Sequence, residues 1–173
     1  MPVKLTTKQL TLCALLTAMA LALSYLENLF PLSLAIPIPG VKLGLANIVT
    51  LFALYALGAG QALPILLARC FLGSLFAGNM NALLFSLMGG LSAMGTMTAL
   101  SRLRGLSVSG VSVGGAAAHN CGQIAAAVLT LGSGAPLYYL PVLLAVSLLT
   151  GGSTGLVTAC LFRGLRNADL WKG

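Results

Sequence analysis

The sequence predicts an all-α integral membrane protein: six transmembrane helices forming a single domain over residues 1–173. Three observations carry that prediction. First, 58% of the residues are hydrophobic and 6% are charged, with a mean hydropathy of +1.02. A soluble globular chain carries about 25% charged residues, so most of this chain meets lipid rather than water. Second, the apolar residues fall in continuous runs broken by Gly, Pro, Ser and Asn. A membrane β-barrel would instead alternate apolar and polar positions. Third, the basic residues gather in three clusters that an even number of crossings brings to one side of the bilayer.

A membrane helix needs about 20 mainly apolar residues, within a range of roughly 17–25. The first run, Leu10 to Leu26, follows Lys4 and Lys8. It lacks an obvious small-x-small cleavage site and is expected to be a retained helix. A loop with Asn28, Pro31, Pro37, Pro39 and Gly40 leads to the second run, Leu43 to Leu57, which ends at Gly58-Ala59-Gly60. The third runs from Ala62 to Ala77 and stops at Gly78-Asn79; the fourth is Asn81 to Leu100. A basic linker, Ser101-Arg102-Leu103-Arg104-Gly105-Leu106-Ser107, precedes the fifth run, Ser109 to Leu131. Gly132-Ser133-Gly134 ends that run, and the sixth extends from Tyr138 to about Phe162. Gly and Pro at these breaks are ordinary helix stops.

Charge sets the expected orientation. Lys4 and Lys8, then Arg102 and Arg104, then Arg163, Arg166 and Lys172 share one side, and loops 28–41, 78–80 and 132–137 carry no Lys or Arg. The positive-inside rule therefore puts both termini in the cytoplasm, and the protein in the cell membrane as a multi-pass chain in contact with lipid. The formal charge of +7 would suggest nucleic acid for a soluble domain; here it is explained by topology, and no nucleic-acid partner is expected. Cys13, Cys70, Cys121 and Cys160 lie inside apolar runs without a C-x-x-C pair, and His119 is the only histidine. Inert, core-type cysteines are expected, with no disulfide, metal site or cofactor. Many of the 21 glycines also fall within the runs, where small residues let membrane helices approach closely.

Polar residues within the runs are the candidates for function, because ionisable groups in hydrocarbon are costly and usually face a cavity or a partner. Glu27 ends the first run, Lys42 opens the second with Asn47 five residues on, Arg69 sits near mid-depth in the third, and His119, Asn120 and Gln123 lie near mid-depth in the fifth. His119 and Gln123, four apart, share a helical face; Asn120 is rotated by about 100°. Glu27 and Lys42 are alternatively interfacial snorkelling side chains or a mutually cancelling pair. The fifth-helix cluster is alternatively an interhelical hydrogen-bond set. If Lys42, Arg69 and neutral His119 converge, they make a cavity suited to a carboxylate, phosphate or diphosphate on an apolar body. On the first helix, Ala14, Ala18 and Ala22 fall one turn apart and form a smooth stripe that another helix can approach.

Pro39-Gly40-Val41-Lys42-Leu43-Gly44-Leu45-Ala46-Asn47-Ile48, Ala68-Arg69, Ser86-Leu87-Met88-Gly89-Gly90 and Gly115-Ala116-Ala117-Ala118-His119-Asn120-Cys121-Gly122-Gln123 together resemble one known family. With the alanine stripe, they are similar to the substrate-binding S-components of energy-coupling-factor (ECF) transporters. The nearer resemblance is to the Gx transporter family, also labelled heptaprenyl diphosphate synthase component I, and it covers essentially the whole chain. It implies an S-component-like bundle that captures a small substrate; the resemblance does not fix which, the cavity residues suggest an anion, and the family label suggests a prenyl or quinone-related molecule. It also implies docking through Ala14, Ala18 and Ala22 on a coupling membrane subunit driven by two ATPases. The alternative is a non-catalytic membrane component of heptaprenyl diphosphate or quinone synthesis, partnered by a soluble prenyl synthase.

Catalysis by the chain alone is not expected. Diphosphate chemistry of the prenyl-synthase kind uses several carboxylates to hold Mg²⁺, and the only acidic side chains are Glu27 and Asp169. No P-loop motif occurs, and no aspartate is placed to complete a Ser-His-Asp set.

Overall fold

In hydrocarbon every backbone N–H and C=O must be bonded within the protein, and a helix satisfies them locally. The computed structural model describes residues 6–29 and 44–167, and its regular structure there is entirely helical. The helices are α1 (Thr7–Leu29), α2 (Leu45–Leu57), α3 (Ala59–Ala77), α4 (Met80–Leu100), α5 (Val108–Leu131) and α6 (Leu140–Asn167). A short 3-10 turn, η1 (Ala135–Tyr139), leads into α6. Lys42 and the prolines of the loop before α2 lie outside the described residues.

The helices stop at the expected breaks. Gly58, Gly78 and Gly132 end α2, α3 and α5. Asn79 starts α4 by accepting the Asn81 N–H at 2.9 Å, and Ser107 starts α5 by accepting the Gly110 N–H at 3.1 Å. Several bounds differ from expectation. α1 runs from Thr7 to Leu29, three residues beyond Leu10 and Leu26 at each end, so Asn28 is helical rather than in the loop. α3 begins three residues earlier than Ala62, because the Gly58 carbonyl already accepts the Gln61 N–H. α6 continues to Asn167, beyond Phe162, since Arg163 and Arg166 are compatible with helix at an interface.

Six crossings were expected; among the described residues four segments have the length and hydropathy of one: Thr7–Glu27, Ala59–Ala77, Met80–Leu100 and Ala135–Asn167. α2 has only 13 residues, about 20 Å of helix against a hydrocarbon core of about 30 Å. α5 is long enough at 24 residues, but its glycines, serines, His119, Asn120 and Gln123 lower its hydropathy. Both helices are instead shielded by protein. α2 packs against α1, α3, α4 and α6, while α5 lies between α4 and α6. The chain is thus a multi-pass membrane protein in which a helix too short to span, α2, and the most polar one, α5, sit among their neighbours.

The main core joins Leu16 and Ala20 of α1, Leu51 of α2, Ile65 and Leu66 of α3, Met97 of α4 and Val111 of α5. Phe52 of α2 stacks on Phe162 of α6 with ring centroids 4.9 Å apart. Large apolar side chains point outward, as in Phe76 and Leu149, which are 77% and 73% exposed; in lipid this costs nothing. Glycine sets how closely α5 and α6 approach. A Cβ on Gly151 would lie 2.6 Å from Val113 Cα, and one on Gly155 would lie 2.6 Å from Ser109 Cα. The residue numbers run in opposite directions, so the pair is antiparallel. Between these contacts the Ser112 and Thr154 hydroxyls are 2.8 Å apart and buried.

The cysteines correct one expectation. Cys70 is buried, Cys13 is half-buried, and Cys121 and Cys160 are exposed on the outer surface. An apolar run in a membrane helix has a lipid face as well as a core face, and a small residue is tolerated on either.

Gly155→Leu is expected to destabilise the fold by about 1–3 kcal/mol, the usual cost of overpacking, because the obstacle is backbone. Gly152→Ala, with nothing within 4 Å of the new Cβ, should melt like the parent. Thermal unfolding in detergent or nanodiscs checks both, and equal melting of Gly155→Leu and parent contradicts the close-approach role.

Candidate functional site

Glu27 is reached at the last turns of α1. It is 8% exposed, so it does not snorkel to the surface. Its Oε1 accepts the Gly44 N–H at 2.6 Å. Gly44 holds the left-handed conformation, φ 74°, at the N-cap of α2, where glycine bears no Cβ penalty. The carboxylate thus sits against a helix N-terminus, whose free N–H groups and dipole favour negative charge. This contact ties α1 to the start of α2. Lys42, the other proposed partner of Glu27, lies outside the described residues.

One turn into α2, Asn47 is half-buried and its side chain makes no hydrogen bond to a described residue. Arg69 enters from the middle of α3. Its Nε is buried without a hydrogen-bond partner, and the guanidinium forms neither a hydrogen bond nor a salt bridge among the described residues. The neighbouring Cys70 Sγ contacts the Ser86 carbonyl oxygen at 3.6 Å, joining α3 to α4 beside it. From α5, His119 and Gln123 project on one face, as their spacing of four predicts. They lie opposite Gly89 of α4, where a Cβ would come within 2.9 Å of His119 Cε1 and 3.0 Å of Gln123 Cγ. A larger residue there would displace both side chains.

These residues from five helices line one cavity of about 120 Å³, whose wall includes Glu27, Asn47, Arg69, His119 and Gln123. A smaller cavity of about 20 Å³ adjoins it and shares Gly44, Asn47, His119 and Gln123. That is room for about one water molecule. Asn120 lines this smaller space, but its Nδ2 donates to the Leu143 carbonyl at 2.9 Å. Its place is therefore partly the interhelical bonding that stood as the alternative, fastening α5 to α6.

Chemically, the cavity offers more donors than acceptors. A guanidinium has five N–H groups and a primary amide two. Glu27 is the only carboxylate side chain in the described residues, and it is already engaged by Gly44. A charged guanidinium without bonds is expensive in a membrane protein, by several kcal/mol before relaxation. An arrangement that leaves one open toward a cavity suits an anion with several oxygens. No group of three or more His, Cys, Asp or Glu able to hold a metal occurs among the described residues.

Ser24, Ser86 and Gly89 also belong to this region, and the sequence reading gave none of them a role at the site. Ser24 lies three residues before Glu27 and shares its helical face, which is a usable signal. Ser86 and Gly89 were noticeable only within the resemblance, since Ser and Gly are ordinary in membrane helices. Ala14, Ala18 and Ala22 lie apart from the cavity: all three are exposed on the outer face of α1.

Fold and site together define a helical multi-pass membrane protein with a polar cavity enclosed by five of its helices. The sequence matches the family described as heptaprenyl diphosphate synthase component I over residues 16–161, most of the chain, and the protein belongs to that family. Neither a curated protein nor a solved structure matches it.

Glu27→Ala is expected to loosen the start of α2 by about 1.5–3 kcal/mol, the usual worth of a hydrogen bond to a charged group. Faster amide hydrogen exchange at Gly44 to Asn47 is the readout, and Glu27→Gln should show a smaller effect. Parent-like exchange in Glu27→Ala rules out the anchoring role.

Proposed function

We propose that this chain is a non-catalytic membrane component serving heptaprenyl diphosphate or isoprenoid quinone synthesis, and that its cavity holds the anionic head of a small molecule. The observation that carries the proposal is the Arg69 guanidinium. It lies in the cavity among His119, Asn47 and Gln123 without a hydrogen bond to any described residue. The family description supports the link to prenyl diphosphate chemistry. The scarcity of carboxylates argues that a soluble partner supplies the Mg²⁺ site and performs the reaction.

In this proposal Arg69 is the principal anion ligand, because its planar fork matches phosphate or carboxylate oxygens. His119, Gln123 and Asn47 add neutral contacts. Glu27 shapes the cavity through α2 and Asn120 holds α5 against α6; Lys42, outside the described residues, is a candidate second cation for the same anion. The bundle sits in the cytoplasmic membrane with both termini inside and all six helices crossing or embedded. The gathering of Lys8, Arg102, Arg104, Arg163 and Arg166 at helix ends on one side supports that orientation.

A second reading has its own support. The exposed Ala14, Ala18 and Ala22 stripe gives α1 a smooth outer face suited to close helix contact. This favours a substrate-binding subunit of an ECF-type importer, docked on a coupling subunit with its ATPases. Co-purification from native membranes separates the two: a soluble aspartate-rich synthase supports the first, and a coupling subunit with ATPases supports the second.

Arg69→Ala is expected to weaken binding of inorganic diphosphate to the nanodisc-embedded protein by roughly tenfold to a hundredfold, since charge-assisted hydrogen bonds contribute about 1.5–3 kcal/mol. Arg69→Lys should fall between, keeping charge but losing the fork. Equal affinity of Arg69→Ala and parent by titration calorimetry would defeat the anion site. Ala18→Trp should leave diphosphate affinity unchanged while reducing recovery of the membrane partner; undiminished recovery counts against docking through the stripe.

A further inference from the structure

A second, apolar space adjoins the polar cavity. It has a volume of about 610 Å³ and is walled by Phe85 of α4, Ile124, Ala127 and Leu131 of α5, Tyr139 of η1 and Leu143 of α6. Ala82 and Gln123 line both this space and the polar cavity, so the two spaces adjoin at these side chains. At the junction, Gln123 is half-buried and its amide makes no hydrogen bond to a described residue. Asn79 and Ala135, at the turns before α4 and α6, also line the groove. The Asn120 bond to the Leu143 carbonyl holds α6 in place as one wall.

We infer that the site is bipartite and takes a single-chain amphiphile: a compact anionic head against Arg69, and one linear hydrocarbon tail in the groove between α4, α5 and α6. The inference rests on the anion-binding reading of the cavity and extends it to the ligand's apolar half. Two features select this occupant. The polar and apolar spaces share Ala82 and Gln123 as lining, and the Gln123 amide, without a hydrogen bond to a described residue, stands between a head and a tail.

The test uses the full chain in phosphatidylcholine nanodiscs with inorganic diphosphate, geranyl diphosphate and farnesyl diphosphate as probes. Affinity should rise along that series, with farnesyl diphosphate at least roughly tenfold tighter than inorganic diphosphate, because each buried methylene adds favourable transfer free energy. Ala127→Trp fills the groove from within. Ala135→Trp, at an exposed position that also lines the groove, obstructs it with little risk to folding. Each should flatten the chain-length dependence while leaving inorganic diphosphate binding unchanged. Persistence of the full dependence in the folded variants overturns the tail groove. So does displacement of farnesyl diphosphate by dioleoyl phosphatidic acid at equal concentration, which identifies a general lipid contact. Arg69→Ala keeps the two ideas separate: parent-like diphosphate binding by that variant removes the head site itself, whatever the groove variants do.

Discussion

Hydrogen-bonding groups removed from water must find partners, and in a bilayer almost no water is available to rescue them. That constraint organises this protein. Its hydroxyls turn back on their own helices: Thr50, Thr98, Thr130 and Thr158 each donate to the carbonyl four residues earlier. Its buried carboxylate meets the N-terminus of α2, and Asn120 reaches across to α6. Against this background Arg69 stands apart: a cation that the fold carries into the bundle and leaves open to a cavity.

The same medium explains the glycine seams. Lipid gives helices no hydrophobic reason to associate, so contact must come from close packing and interhelical bonds. Gly151 and Gly155 bring the backbones of α5 and α6 together, and the Ser112–Thr154 hydroxyl pair occupies the space between them. This tight hairpin also sets the depth of His119 and Gln123. Gly89 on α4 serves the site more directly, since its missing side chain is the space those two residues use. Packing and binding therefore draw on one device, a small residue facing a larger one.

Membership of the heptaprenyl diphosphate synthase component I family and the geometry of the cavity point the same way. A polar pocket beside an apolar groove is a form suited to a molecule that is itself part polar and part hydrocarbon. The outward alanine face of α1 lies apart from the cavity.

By itself the sequence determined the fold class, the break between each pair of helices and the short list of polar residues worth attention. Those follow from local rules: apolar run length, glycine stops and the cost of charge in lipid. It also determined that Glu27, Arg69, His119 and Gln123 needed an explanation, though not which. Only the tertiary structure decided that five helices bring these residues to one cavity, that Glu27 is committed to Gly44 and that Asn120 partly fastens α5 to α6. Only the tertiary structure showed that α2 and α5, which fall short as lipid-facing spans, are sheltered by their neighbours. The physical reason is that rotation and pairing of membrane helices depend on contacts between residues far apart in sequence. A run of leucine, alanine and glycine says where a helix lies, but hardly which side of it faces lipid.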